Sequence, residues 1–215
     1  MTSVTLYGIG AASGTLATAG KFATGTGGTG STQNTKINNS TGWGELYALG
    51  NAGSWSGAGS EPAPSGNGWL WDVTTLEGQT LTATTLTFKL AVTGSSGVFC
   101  TAVFHFRLYK RSSGGVYTQI IDAASASTDI HNTTTNNVTA SGTATQTAFS
   151  TGDKLYLDMP TNLTANSSSI GVTLNVAEPT SGTTGVAGDV EIDGIVYSAA
   201  TSHLLICDGF GGVFS

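Results

Sequence analysis

The stretch Val98-Phe99-Cys100-Thr101-Ala102-Val103-Phe104-His105-Phe106-Arg107-Leu108-Tyr109-Lys110 decides the fold. Val98, Cys100, Ala102, Phe104, Phe106 and Leu108 take every second position, while Thr101, His105, Arg107 and Tyr109 point the other way. Successive side chains of an extended chain leave opposite faces, so a period of two predicts a strand with one face in a core. A helix would scatter the same apolar residues around its circumference.

The pattern recurs on both sides of this run. Leu86, Phe88, Leu90 and Val92 alternate in one direction; Leu155, Leu157 and Met159, then Ile170, Val172, Leu174 and Val176, alternate in the other. Gly94-Ser95-Ser96-Gly97, Ser112-Ser113-Gly114-Gly115, Thr151-Gly152-Asp153 and Thr180-Ser181-Gly182 supply turn chemistry between them. Tyr109 to Ile120 reads as a hairpin, and further strands are expected around 116–122, 138–149, 190–197 and 203–207. The expected fold is all-β: an antiparallel two-sheet β-sandwich, of jelly-roll type, over residues 68–215.

Residues 1–67 read differently. Gly, Ala, Ser and Thr dominate, and Leu6, Tyr7, Phe22, Trp43, Leu46, Tyr47 and Trp55 are scattered. Glu61-Pro62-Ala63-Pro64-Ser65-Gly66 is a turn and linker signal, so a boundary is placed at residue 67 between an extended N-terminal arm and the sandwich. Aromatic rings are costly to leave in water, so Phe22, Trp43, Tyr47 and Trp55 are candidate contacts to the chain's own sandwich or to a neighbouring subunit. On this reading, deleting residues 1–60 leaves a folded sandwich.

Composition narrows the function classes. Of 215 residues only 9% are charged, against roughly a quarter in an average soluble domain, and 31 are glycine. Seven Lys plus Arg and a net charge of −6 lack the basic footprint of a nucleic-acid surface, so nucleic acid is not an expected partner. The N-terminus has no basic region followed by an apolar run, and no stretch of about eighteen apolar residues occurs; neither a signal peptide nor a membrane span is expected. Cys100 and Cys207 sit in apolar strand-like runs and read as buried thiols.

No motif announces a reaction. Gly25-Thr26-Gly27-Gly28-Thr29-Gly30 matches G-x-G-x-x-G, but the segment after it is a poor helix, and Glu45, at the distance of a ribose contact, lies inside Gly42-Trp43-Gly44-Glu45 rather than at a strand end. No cofactor is expected. Asp189-Val190-Glu191-Ile192-Asp193-Gly194 opens like a calcium loop but has Ala200 where the bidentate Glu belongs, which leaves Asp189, Glu191 and Asp193 as weak metal candidates on a strand with a solvated acidic face. Asp72, Glu77, Asp122, Asp129, Asp153, Asp158 and Asp208 offer many pairs without a glycosidase motif. His105, His131 and His203 have no partner at i+2 or i+4, so a metal site would have to be assembled across strands. No catalytic residue is assigned and the chain is read as a non-enzyme. Trp69 and Trp71 share a strand face and are the candidates for a sugar platform should the sandwich bind carbohydrate.

Three segments carry a resemblance: Gly68-Trp69-Leu70-Trp71-Asp72-Val73-Thr74-Thr75-Leu76-Glu77-Gly78-Gln79-Thr80, then Tyr109-Lys110-Arg111-Ser112-Ser113-Gly114-Gly115-Val116-Tyr117, then Phe149-Ser150-Thr151-Gly152-Asp153-Lys154-Leu155-Tyr156-Leu157-Asp158. In this order they resemble a β-sandwich of tailed bacteriophage and prophage virion proteins. The resemblance rests on structural turns and carries no catalytic residue across. It implies a virion location after synthesis in the host cytoplasm, the major capsid protein or other virion subunits as partners, and a homo-oligomer, a trimer by analogy. A head decoration (cement) protein is the expected role; the alternative is a carbohydrate-binding module of a tail or host-adsorption protein, with a cell-surface glycan as ligand.

Overall fold

Residues 1–12, 16, 19–24, 33–37, 41–46, 48, 58–72, 74–94, 99–131, 135–166, 172–177 and 190–199 are described, in a computed structural model. They form strands β1 (Thr2–Ala12), β2 (Gly20–Ala23), β3 (Gln33–Ile37), β4 (Gly42–Leu46), β5 (Trp69–Trp71), β6 (Gln79–Leu81), β7 (Thr85–Gly94), β8 (Phe99–Arg111), β9 (Tyr117–Ala124), β10 (Thr128–His131), β11 (Asn136–Thr143), β12 (Thr147–Ala148), β13 (Lys154–Asn166), β14 (Val172–Ala177) and β15 (Val190–Ala199), with one 3-10 turn at Thr74–Leu76. Among the described residues no helix is long and apolar enough to cross a membrane.

The quoted stretch is β8, and its even-numbered residues from Cys100 to Leu108 are fully buried. It pairs with β13 along one side; along the other it pairs first with β10 and then with β9. β13 in turn carries β4 and β5 end to end on its far side. The facing layer is built on β7, flanked by β11 on one edge and by β15 and β14 on the other, with β1 beyond β15. Phe88 of β7 stacks on Phe106 of β8 with ring centroids 5.3 Å apart, which places the core between the two layers. The molecule is an antiparallel β-sandwich. Its one parallel pairing among the described strands, β2 with β5, carries the hydrogen-bonded path from one layer to the other, since β2 also pairs with β1.

The predicted hairpin forms. Arg111 pairs with Tyr117, Gly115 N–H donates to the Ser112 carbonyl at 2.9 Å, and Gly115 has the positive φ of 85° that the tight turn requires.

The division at residue 67 does not separate an arm from a core. Leu6 of β1, Phe22 of β2 and Leu46 of β4 belong to the same buried cluster as Phe88, Phe106 and Leu157. β1 pairs with β15, β2 with β5 and β4 with β13, so the N-terminal strands supply edges that the later strands leave open. Buried side chains of this size stabilise by about 1.5–3 kcal/mol each, and truncation at residue 60 therefore removes part of the core rather than leaving a folded sandwich. The expected strand at 203–207 and the glycine run at 25–30 lie outside the described residues.

Cys100 is a buried free thiol, as read, whereas Cys207 lies outside the described residues. Burial, followed by the charge of Asp129, pushes the Cys100 thiol up to about 11. Thiolate is the reactive form, so Cys100 should resist a thiol reagent in the native protein at neutral pH and react on unfolding. A time course with and without denaturant checks this.

Candidate functional site

β8, β9 and β13 each have an outward face, and alternation alone makes it polar. Asp158 of β13, Arg107 of β8 and Asp122 of β9 stand opposite one another in register, so a minus, plus, minus row crosses three strands. Asp158 is buried and Arg107 half-buried in this row, while Asp122 at its edge stays exposed. Residues 58–68, which carry both prolines of Glu61-Pro62-Ala63-Pro64, run over it as a strap. One end is tied by Trp43 N–H to the Ala58 carbonyl at 2.8 Å with the reciprocal bond at 3.1 Å, and the other by Ala48 N–H to the Asn67 carbonyl at 2.7 Å.

Under the C-terminal half of the strap lies a buried acid pair. The Tyr156 hydroxyl accepts from Gly66 N–H at 3.1 Å and Gly68 N–H at 2.9 Å, and donates to Asp158 Oδ1 at 3.0 Å. Ser65 Oγ donates to Glu45 Oε1 at 2.5 Å. Gly68 permits this approach because a Cβ there would overlap the Leu157 carbonyl oxygen and come within 2.9 Å of the Tyr156 hydroxyl. Burial, then a hydrogen bond to Asp158, then the Asp158 charge push Glu45 up to about 9, so it is protonated at neutral pH. Asp158, fully buried, is also raised by burial, and its Oδ2 has no other described donor. Neutral Glu45 donating to ionised Asp158 is the arrangement that leaves neither oxygen bare. Burial and the two acids together raise the Tyr156 phenol well above its usual range.

Under the N-terminal half lies a second cluster. Arg107 reaches Glu61 Oε2 through Nη2 and Asp122 Oδ2 through Nε at 3.1 Å. His105 Nδ1 is 3.1 Å from Asp122 Oδ1 and 3.9 Å from Glu61 Oε1, and the Trp43 ring lies 4.9 Å from the imidazole. Burial pushes the Asp122 carboxyl up, but hydrogen bonds from His105 and Arg107 outweigh it and hold the group below its ordinary value. Burial leaves Glu61 raised against the pull of Arg107. Beside both clusters, Tyr109, Tyr117 and Tyr156 pack ring against ring at 5.1–6.4 Å over Leu70 and Ala19, forming a small second core on the same face.

Several residues singled out in the sequence stand elsewhere. Trp69 and Trp71 are 0% and 2% exposed, inside the main core, and present no ring face to a sugar. Phe22 is likewise a core residue, filling the chain's own sandwich rather than a subunit contact. Trp43 is half-buried against His105, while Tyr47 and Trp55 lie outside the described residues. The acidic face expected on β15 is not uniformly solvated: Glu191 is buried and ion-paired with Lys89 at 2.6 Å, whereas Asp193 is exposed and accepts from Thr5 Oγ1 at 2.9 Å. Asp189 lies outside the described residues, so the calcium-like run is not assembled by the described part of the chain.

Glu45, Glu61, Tyr156 and Arg107 carry no spacing signal that would single them out as a site. Glu45 and Glu61 sit in the stretch expected to be an arm; pairing of β4 brings Glu45 to β13, and the strap brings Glu61 to β8. A polar residue inside each alternating apolar run, Asp158 in one and His105 with Arg107 in the other, was the available hint.

No family model matches the chain, and no curated protein matches it. Among solved structures it is similar to a CocE/NonD family hydrolase from Staphylococcus aureus, at 8% identity with 91% of this chain covered and a TM-score of 0.47; the chain spans 37% of that protein's length. It is also similar to a structure described as CBM4, at 17% identity, with 60% of this chain and 71% of that one covered and a TM-score of 0.24. A third is the Eiger TNF from S. frugiperda, at 9% identity, 82% and 93% coverage and a TM-score of 0.30. The overlaps are too loose for any of the three to speak for this chain's activity.

Proposed function

We propose that the chain is a non-enzymatic virion structural protein, a head decoration protein that binds capsid subunits as a homo-oligomer and stabilises the shell by contact. The observation that carries the reading is that the carboxylates gathered on the outward face are bonded to the chain's own strap and strands: Ser65 to Glu45, Tyr156 to Asp158, Arg107 to Glu61 and Asp122. Groups held in this way keep a surface in shape. The composition is consistent with the same role, since a charge-poor, hydroxyl-rich surface makes contacts that depend little on salt. The virion location itself rests on the resemblance of the three turn-bearing segments.

Immunogold labelling of purified particles, with an antibody raised against the recombinant protein, tests the reading. Label spread over the heads is expected. Unlabelled particles overturn the proposal, and label confined to the tail tip replaces it with a host-adsorption role in which a cell-surface glycan becomes the ligand to seek.

A further inference from the structure

We infer that Glu61, His105 and Asp122 form a binding site for a divalent transition-metal ion, with zinc the best match, that pins the strap to β8 and β9. This inference does not depend on where the protein acts.

The three residues come from segments far apart in sequence, so no motif shows them, yet their ligand atoms all lie within 4.8 Å of one another. Zinc bonds to imidazole nitrogen and carboxylate oxygen are both about 2.1 Å, so ligands at tetrahedral angles stand about 3.4 Å apart. The observed 3.1 Å from His105 Nδ1 to Asp122 Oδ1 and 3.9 Å to Glu61 Oε1 bracket that separation. The third pair, Glu61 and Asp122, has ligand oxygens within 4.8 Å, so side-chain rotation draws the carboxylates together to close the shell, with water completing it.

Arg107 prepares the carboxylates rather than blocking them. It holds Glu61 through Oε2 and Asp122 through Oδ2, which leaves Oε1 and Oδ1 turned toward the imidazole. Metal-bound carboxylates are ordinarily oriented by such an outer hydrogen bond. Glu61 Oε1 is a buried oxygen that has no hydrogen-bond partner among the described residues, which is costly unless something positive reaches it. The two carboxylates and the one guanidinium sum to one negative charge, so a dication is attracted. The Trp43 ring against His105 forms an apolar wall on one side. Nitrogen and oxygen ligands without sulfur suit zinc, cobalt or manganese, and imidazole disfavours calcium and magnesium.

The test uses the full chain, dialysed against chelator and titrated with zinc chloride in a calorimeter, with cobalt(II) absorption as a second reading. One ion per chain with micromolar or tighter affinity is expected, with a higher unfolding temperature and slower proteolysis in the 58–68 strap. His105→Ala and Asp122→Asn should each weaken binding at least tenfold, whereas His131→Ala should leave it unchanged. Absence of saturable binding to the wild-type chain overturns the inference. So does binding that survives in both site variants or that is lost in His131→Ala. Because the first and decisive reading is made on the unaltered protein, a variant that fails to fold does not rescue the proposal.

Discussion

Tyr156→Phe is expected to lower the unfolding free energy by about 3–5 kcal/mol and to loosen the strap before the sandwich melts. The substitution removes a single oxygen from a fully buried ring, so apolar packing is almost unchanged. What it removes is a hub: the hydroxyl accepts from Gly66 and Gly68 N–H and donates to Asp158 Oδ1. Without it Gly68 N–H loses its described acceptor, Gly66 N–H loses one acceptor and Asp158 loses one donor, each loss at about 1–3 kcal/mol with partial relief where water enters. The measurement is chemical denaturation together with amide exchange at Gly66 and Gly68. Exchange at those two amides should rise in the variant under native conditions, while amides in the centre of β7 stay protected. A loss below about 1 kcal/mol would mean that the strap is held by its ends alone.

The second large effect is on pH dependence. Glu45 has an ordinary value of 4.5 and is pushed up to about 9 in the folded chain, first by burial and then by Asp158. The folded state therefore binds a proton between these limits that the unfolded state has lost. Stability from this group is complete below pH 4.5 and falls as pH rises toward 9, with a slope of up to about 1.4 kcal/mol per pH unit. Asp158, also raised, acts in the same direction. Glu45→Gln keeps the shape, the acceptor for Ser65 and a donor for Asp158, and it does not titrate. Between about pH 5 and about pH 8 the parent should lose up to about 4 kcal/mol that the variant retains. Urea unfolding of both proteins at the two pH values checks it. Parallel losses would show that Glu45 is ionised at neutral pH and that the acid pair is arranged otherwise.

The two predictions concern residues that sequence periodicity treats unequally. Lys154 to Met159 alternates, and the alternation correctly sends Leu155, Leu157 and Met159 to the core. It also sends Tyr156 and Asp158 to the opposite face, where solvent is the natural expectation for a sandwich. They are buried there instead, because the strap and the tyrosine cluster cover that face. Tyr109 follows the same course: alternation turns it away from the main core, and it is buried in the second one.

The sequence by itself determined β7, β8 and β13, their sides toward the main core and the hairpin at Ser112 to Gly115, because these follow from a period of two and from turn residues acting within a few positions. Only the tertiary structure decided that residues 1–67 share the core, that Trp69 and Trp71 are inside it, and that Glu45 meets Asp158 while Glu61 meets His105 and Asp122. The reason is physical: alternation specifies which way a side chain faces along its own strand, but not which strand or loop will be its neighbour. Pairing of β1, β2 and β4 with β15, β5 and β13 is long-range, and the ties from Trp43 to Ala58 and from Ala48 to Asn67 turn a composition resembling a linker into the strap over a polar seam.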